Sequence, residues 1–170
     1  MLFRSNGAEV LTYTYNGDDF TEDDKQIAAA VNNYGEGKVI SIAYDILNRY
    51  YRTPIQLVCD LISDIMFIAN DKPVAYLEEG TRMVDIIPSE KDGNLVINVI
   101  NTTGIYSEQR IYSYDEIAPL YNLTICVNTD EKPDKVIAYP EKKELEFTYD
   151  NGAAHIKLEK LDIHTAIKLV

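Results

Sequence analysis

The chain has 170 residues, with 28 Asp and Glu against 16 Lys and Arg, a formal net charge of −12, and no Trp. At 46% hydrophobic residues it can bury a core, which excludes disorder, and its length suits one domain or two small ones rather than a (β/α)8 barrel, which needs roughly 200 residues or more. The acidic balance, with no Lys/Arg cluster to offset it, argues against nucleic acid and anionic membrane surfaces as partners, since both repel a negative protein.

Met1 to Gly7 contains no long apolar stretch, so it does not read as a secretory signal, and no run approaches the roughly 20 apolar residues of a membrane span. The expectation is a soluble, cytoplasmic chain. Glu9 to Tyr15 is rich in β-branched and aromatic residues and reads as a strand, stopped by the turn pair Asn16-Gly17. Asp18 to Asp24 is an acidic loop in which Thr21 can cap a short helix, with Asp24 at the capping-box position. Gln26 to Val31 fits either that short helix or a strand. Asn32 to Lys38 is a turn, and Lys38 to Tyr44 follows as a nearly all-apolar strand, the pattern of one covered on both faces.

The strongest helix signal comes next. Thr53 is a good N-cap, Pro54 fits the first helical position, and Gln56 completes a capping box. Ile55, Val58, Leu61, Ile62, Ile65 and Ile68 or Ala69 follow i, i+3, i+4, i+7 spacing, with Gln56, Asp60, Ser63 and Asp64 opposite. Asn70 to Pro73 ends this helix, because a proline restricts the residue before it. The domain boundary is placed here, between residues 1–72 and 73–170.

From Pro73 the period changes to two. Strands are read at 82–87, at 94–100 after a Lys91-Asp92-Gly93-Asn94 turn, at 123–127, and at 135–139 ending on Pro140. Leu145, Phe147 and Tyr149 alternate with Glu144, Glu146 and Thr148 and run into Asp150-Asn151-Gly152, a strong hairpin signal. Ile156 and Leu158 alternate after it, and Ala166 to Val170 is a terminal strand. Short strands at regular spacing with turn residues between them predict an antiparallel sandwich. The first part, with about three strands and one good helix, reads instead as the last section of a doubly wound domain. Such a piece must dock, self-associate or pair with another segment to cover its apolar surfaces.

The stretch Asn33-Tyr34-Gly35-Glu36-Gly37-Lys38-Val39-Ile40, followed by a strand and a helix, resembles the end of the glutamine-amidotransferase-like, flavodoxin-like "trimerisation" domain of β-galactosidase-type glycoside hydrolases. In that family a catalytic barrel comes first, then this domain, then a small β-sandwich. Asn98-Val99-Ile100-Asn101-Thr102-Thr103-Gly104 is similar to the strand end that opens the sandwich, and Pro133 to Val136 and Ile156 to Leu169 resemble its last strands. The resemblance implies a fold class of α+β: a partial amidotransferase-like α/β segment, then an antiparallel β-sandwich. It carries over no catalytic residue, because the family's catalytic carboxylates lie on the barrel. It also implies an upstream catalytic barrel, or self-association, as the partner.

The residues themselves offer little catalytic chemistry. Glycoside hydrolysis needs two carboxyl groups about 5–9 Å apart. Glu78-Glu79 and Asp115-Glu116 are adjacent pairs that a regular strand sends to opposite faces, and Glu144 and Glu146 read as a solvated strand face. The acidic run 18–24 lacks the spacing and central Gly of a calcium loop, and His155 and His164 match no zinc spacing, so neither metal nor cofactor is expected. Cys59 and Cys126 sit in apolar contexts without a basic neighbour and read as core. Asn101-Thr102-Thr103 and Asn122-Leu123-Thr124 match the glycosylation pattern and read as chance matches. Thirteen tyrosines remain, of which Tyr106, Tyr112, Tyr114 and Tyr121 cluster around one loop segment. Tyr offers an apolar face and a polar handle, suited to a carbohydrate or a partner protein. The leading expectation is a noncatalytic accessory region that packs against or oligomerises a catalytic partner; the alternative is a carbohydrate-binding module using this tyrosine-rich loop.

Overall fold

The computed structural model describes residues 7–15, 19, 21–53, 55–104 and 116–170. The chain forms two compact units that meet between Lys72 and Pro73.

The first unit contains strands β1 (Glu9–Tyr15), β2 (Lys25–Tyr34) and β3 (Gly37–Ile42), then helices α1 (Ile46–Arg52) and α2 (Gln56–Ala69). The strands lie in the order β1-β2-β3, and both pairings are antiparallel. A doubly wound domain joins parallel strands through helical crossovers. Here the β2–β3 connection is a tight hairpin, with Tyr34 opposite Gly37 and Gly35 at φ 61°, and both helices follow the sheet rather than alternating with its strands. The flavodoxin- or amidotransferase-like order expected of residues 1–72 is therefore not what the described residues show.

Residues 26–31, open between helix and strand in the sequence, belong to β2. As the central strand, β2 buries Ala28, Ala29, Ala30 and Val31 in succession, so both of its faces are covered. That double cover was expected of residues 38–44 instead. The reason for the difference is position: β3 lies at the sheet edge, and Val39 is 52% exposed. At the acidic run, Glu22–Asp24 makes a single 3-10 turn. Thr21 stands at its N-cap as expected but makes no side-chain cap bond to the backbone; its hydroxyl donates to the Asp24 carboxylate at 2.7 Å.

The helices also depart from expectation at their ends. Helix α1 was not anticipated; Asp45 caps it by accepting the Asn48 amide at 3.2 Å. Thr53 closes α1, its N–H donating to the Arg49 carbonyl at 3.0 Å, and so does not cap α2. The α2 N-cap is Ile55, which has no side-chain cap bond, and Gln56 donates to Asp60 at 3.0 Å instead of reaching back. Pro54 lies outside the described residues. The apolar stripe is present but only partly covered: Ile65 is buried, Val58, Leu61, Ile62 and Ile68 are half-buried, and Ile55 is exposed.

The second unit is a β-sandwich. Strands β4 (Ala75–Glu79), β7 (Leu120–Asn128), β10 (Phe147–Asp150) and β11 (Ala153–Leu161) form one sheet in the order β10-β11-β7-β4. Strands β5 (Val84–Lys91), β6 (Asn94–Asn101), β8 (Val136–Tyr139), β9 (Lys143–Glu144) and β12 (His164–Leu169) form the other in the order β5-β6-β12-β8-β9. All pairings are antiparallel. Alternate residues of each sheet meet in a shared core, with Ile97, Val99, Val136 and Ile167 from one side and Leu123, Ile125, Val127 and Ile156 from the other. The turns at Asp92-Gly93 and Asn151-Gly152 carry positive φ at both central residues, the twist-matched geometry for two-residue hairpins. Strand β4 had no counterpart in the sequence reading. The single strand read through 144–149 is split: Lys143–Glu144 pairs with β8, and Phe147–Asp150 crosses to pair with β11.

Candidate functional site

Of the four tyrosines singled out, Tyr106, Tyr112 and Tyr114 lie outside the described residues. Tyr121 is near the start of β7, opposite Lys160 and 57% exposed. Glu144 and Glu146 line a shallow groove of about 460 Å³ with Phe147, Thr148 and Lys157, and Glu144 lies 3.9 Å from the Lys135 ammonium. Glu116 is exposed and Asp115 is outside the described residues. His164 meets the Asn98 side-chain oxygen at 3.1 Å. Among the described residues no group of three or more His, Cys, Asp or Glu is placed to hold a metal ion.

The pair Glu78-Glu79 corrects an expectation. Adjacent residues of a regular strand point to opposite faces, but β4 has a bulge between Leu77 and Glu79. Both carboxylates therefore reach the outer face of the four-stranded sheet. There Glu79 accepts from the Thr124 hydroxyl at 3.1 Å, and Glu78 meets His155.

His155 is the centre of the densest titratable cluster. The register sets Tyr76, Cys126, His155 and Thr148 side by side across β4, β7, β11 and β10. Residues directly opposite share a face, so these side chains emerge together. The His155 Nδ1 lies 2.7 Å from a Glu78 oxygen and its Nε2 lies 3.0 Å from an Asp150 oxygen. A neutral imidazole has one N–H and one lone pair; only the imidazolium donates on both sides. The hydrogen bond to Glu78, with Asp150 adding to it and partial burial opposing, raises the His155 pKa above its ordinary value. Beneath it, Cys126 is 1% exposed, and burial pushes its thiol pKa up against the opposing hydrogen bond from Tyr76. The same bond, helped by burial, pushes Tyr76 up to about 12.

Cysteine, histidine and carboxylate are the residue types of a nucleophilic triad, but the arrangement is not one. Such a triad needs an imidazole nitrogen free to take the thiol proton. Here both nitrogens face carboxylates and the thiol is held protonated. The cluster ties strands together. Its Asp150–His155 half was within reach of the sequence, because a two-residue hairpin at 151–152 places those residues on neighbouring strands. The Glu78 half was not, because β4 had not been identified.

A second polar centre lies inside the sandwich. Asn101 ends β6 facing inward and is 5% exposed. Its amide donates to the carbonyls of Ala118 at 2.9 Å and Asp162 at 2.7 Å, and its oxygen accepts from the Thr103 N–H at 3.0 Å and hydroxyl at 2.6 Å. The amide nitrogen that a glycan would need is thus buried and committed. Cys59, half-buried on α2, completes the singled-out residues.

No protein-family model matches the chain, and no curated protein sequence matches it significantly. Among solved structures, it is similar to alpha-L-fucosidase isoenzyme 2 from Paenibacillus thiaminolyticus, with a TM-score of 0.68 at 10% identity over 92% of this chain. The chain spans 25% of the length of that fucosidase. The likeness establishes a shared fold with a part of that enzyme.

Proposed function

We propose that this chain is a noncatalytic accessory region of a glycoside-hydrolase-like protein, packing against a catalytic barrel or assembling with copies of itself. The observation that carries the reading is the match of 92% of the chain to a quarter of an alpha-L-fucosidase. The described site residues support it: the carboxylates on the sheet faces are engaged by protein partners or spread along solvated strands, and the one Cys–His cluster is not activated. Exposed apolar side chains in the first unit, including Leu47, Tyr51, Leu57 and Met66, supply surface for packing. The β-galactosidase-type kinship is the finer form of this proposal; the order of short motifs along the sequence supports it.

A carbohydrate-binding role is the second reading, favoured by the exposure of Tyr121 beside the tyrosine-rich segment. Sedimentation velocity with the chain alone and with a fucosidase-type or galactosidase-type barrel separates the two. Self-association or a complex with the barrel is the expected result. A strictly monomeric chain that no barrel binds overturns it, and calorimetric binding to a glycan panel that Tyr121→Ala abolishes would establish the second reading instead.

A further inference from the structure

We propose that Glu78, His155 and Asp150 form a protonation-dependent clasp that pins the edge strand β4 to β11 across β7 and closes over the Cys126 thiol. The inference rests on the sandwich alone and is independent of any glycoside-hydrolase kinship.

Strands β4 and β11 are not neighbours, since β7 runs between them. Adjacent strands lie about 4.8 Å apart, so roughly 10 Å of sheet separates their backbones. Glu78 and His155 meet above that gap at 2.7 Å, and the residue below, paired with both Tyr76 and His155, is Cys126. Outer-face positions are usually wet, and Thr124 and Asn128, the next residues of β7 on the same face, are only half-buried. The seal over Cys126 is therefore local, and the imidazole, its carboxylate partners and the Tyr76 ring form it. Strand β4 needs the pin. It has five residues, one paired neighbour and a bulge, and it is the first strand after the junction between the units.

The charged and titratable groups on this face around His155 are Tyr76 and Glu78 from β4, Glu79 at its end, Cys126 from β7, Asp150 from β10, Glu146 just before β10, and Lys157 two residues along β11. Glu79 is taken up by Thr124, and Tyr76 titrates far above neutrality. His155 is therefore the group that switches. Its folded pKa is raised, so, while both carboxylates are ionised, the clasp is fully closed below the ordinary histidine value of about 6.5 and is lost as pH rises through the raised value. Linkage sets the size of the effect: opening becomes about tenfold easier for each unit by which the pKa is raised.

The test uses the full chain carrying Cys59→Ser, so that Cys126 is the sole thiol. Its rate of labelling by a small methanethiosulfonate is divided, at each pH, by that of a short cysteine peptide, and the His155 ring is titrated by NMR. The normalised rate is expected to be low and flat below about pH 6.5. It should then rise through the His155 midpoint by the factor that the measured pKa dictates. In His155→Gln it should be high at every pH. A wild-type rate with no step at that midpoint, or a folded His155→Gln that labels as slowly as wild type, overturns the clasp. Should His155→Gln fail to fold, Asp150→Asn decides: it must lower the His155 pKa and shrink the step together, and an unchanged step overturns the proposal.

Discussion

Asn101 shows how much one side chain can hold. Four hydrogen bonds converge on its amide, from the turn after β6, from the segment entering β7 and from the turn before β12. Removing it leaves two part-buried carbonyls and a backbone N–H without their partner, a loss of about 1–3 kcal/mol for each that water does not reach. Asn101→Ala is expected to lower the urea midpoint by a loss of about 3 kcal/mol in stability. Asn101→Asp should cost more, because it turns both donors into acceptors facing carbonyl oxygen and buries a charge. Equal losses for the two variants would show that packing, not the donor pattern, is what Asn101 supplies. The sequence contained half of this. It placed Asn101 at a strand end beside Thr103, in the stretch similar to the one that opens the family's sandwich, and read the Asn-Thr-Thr glycosylation pattern there as a chance match. What it could not show is that Ala118 and Asp162, distant in the chain, bring their carbonyls to the same point.

Elements were legible where a local rule decides them. The Asp150-Asn151-Gly152 hairpin forms where it was read, because only residues tolerant of positive φ fit there, and the period-two segments of the second half fall in strands, with 144–149 divided between two. Helix ends were misread where two local rules competed. Thr53 satisfies the N-cap pattern for α2 and also stands one residue past α1, and its N–H went to the Arg49 carbonyl. Helix α2 thus begins at Gln56, behind an N-cap, Ile55, whose side chain offers its first amides no cap bond. Ile55→Asp is expected to stabilise α2 by about 1 kcal/mol, by capping the first turn and by opposing the positive helix end. Thr53→Ala should have little effect. Thermal unfolding followed by circular dichroism checks both, and a larger loss in Thr53→Ala than gain in Ile55→Asp would restore the sequence-based assignment. Strands β4 and β9 were missed for another reason: at five and two residues they carry too little pattern, and pairing with β7 and β8 selects them.

The whole molecule joins two units of unequal strength. Buried hydrophobic residues described in the first unit are three alanines, Val31, Ile46 and Ile65, while the second has a continuous core of large aliphatic side chains. Alanine burial yields little transfer energy, so the first unit is the weaker. Residues 73–170 expressed alone are expected to stay folded, and residues 1–72 alone to unfold at a lower temperature than the sandwich. Calorimetry of the full chain should resolve two steps with the sandwich melting last. One sharp transition, or an isolated sandwich that fails to fold, would show that the units depend on each other. The contrast was visible in the sequence as a change of period at Pro73. The internal order of the first half was not, because three strands and two helices of these lengths suit several topologies and only long-range pairing selects among them.

The split run from Lys143 to Asp150 has a consequence for the sandwich as a closed object. Leu145 donates its N–H to Val136 in one sheet, and Glu146 accepts from Lys157 in the other, so the backbone ladder turns the corner without a break. On the opposite side the outermost strands, β4 and β5, are again consecutive in the chain. The two sheets are thus hinged together at both margins, in the manner of a flattened tube. Parting the two sheets therefore bends the chain path at both margins at once, and the loss of one sheet is expected to loosen the edge of the other.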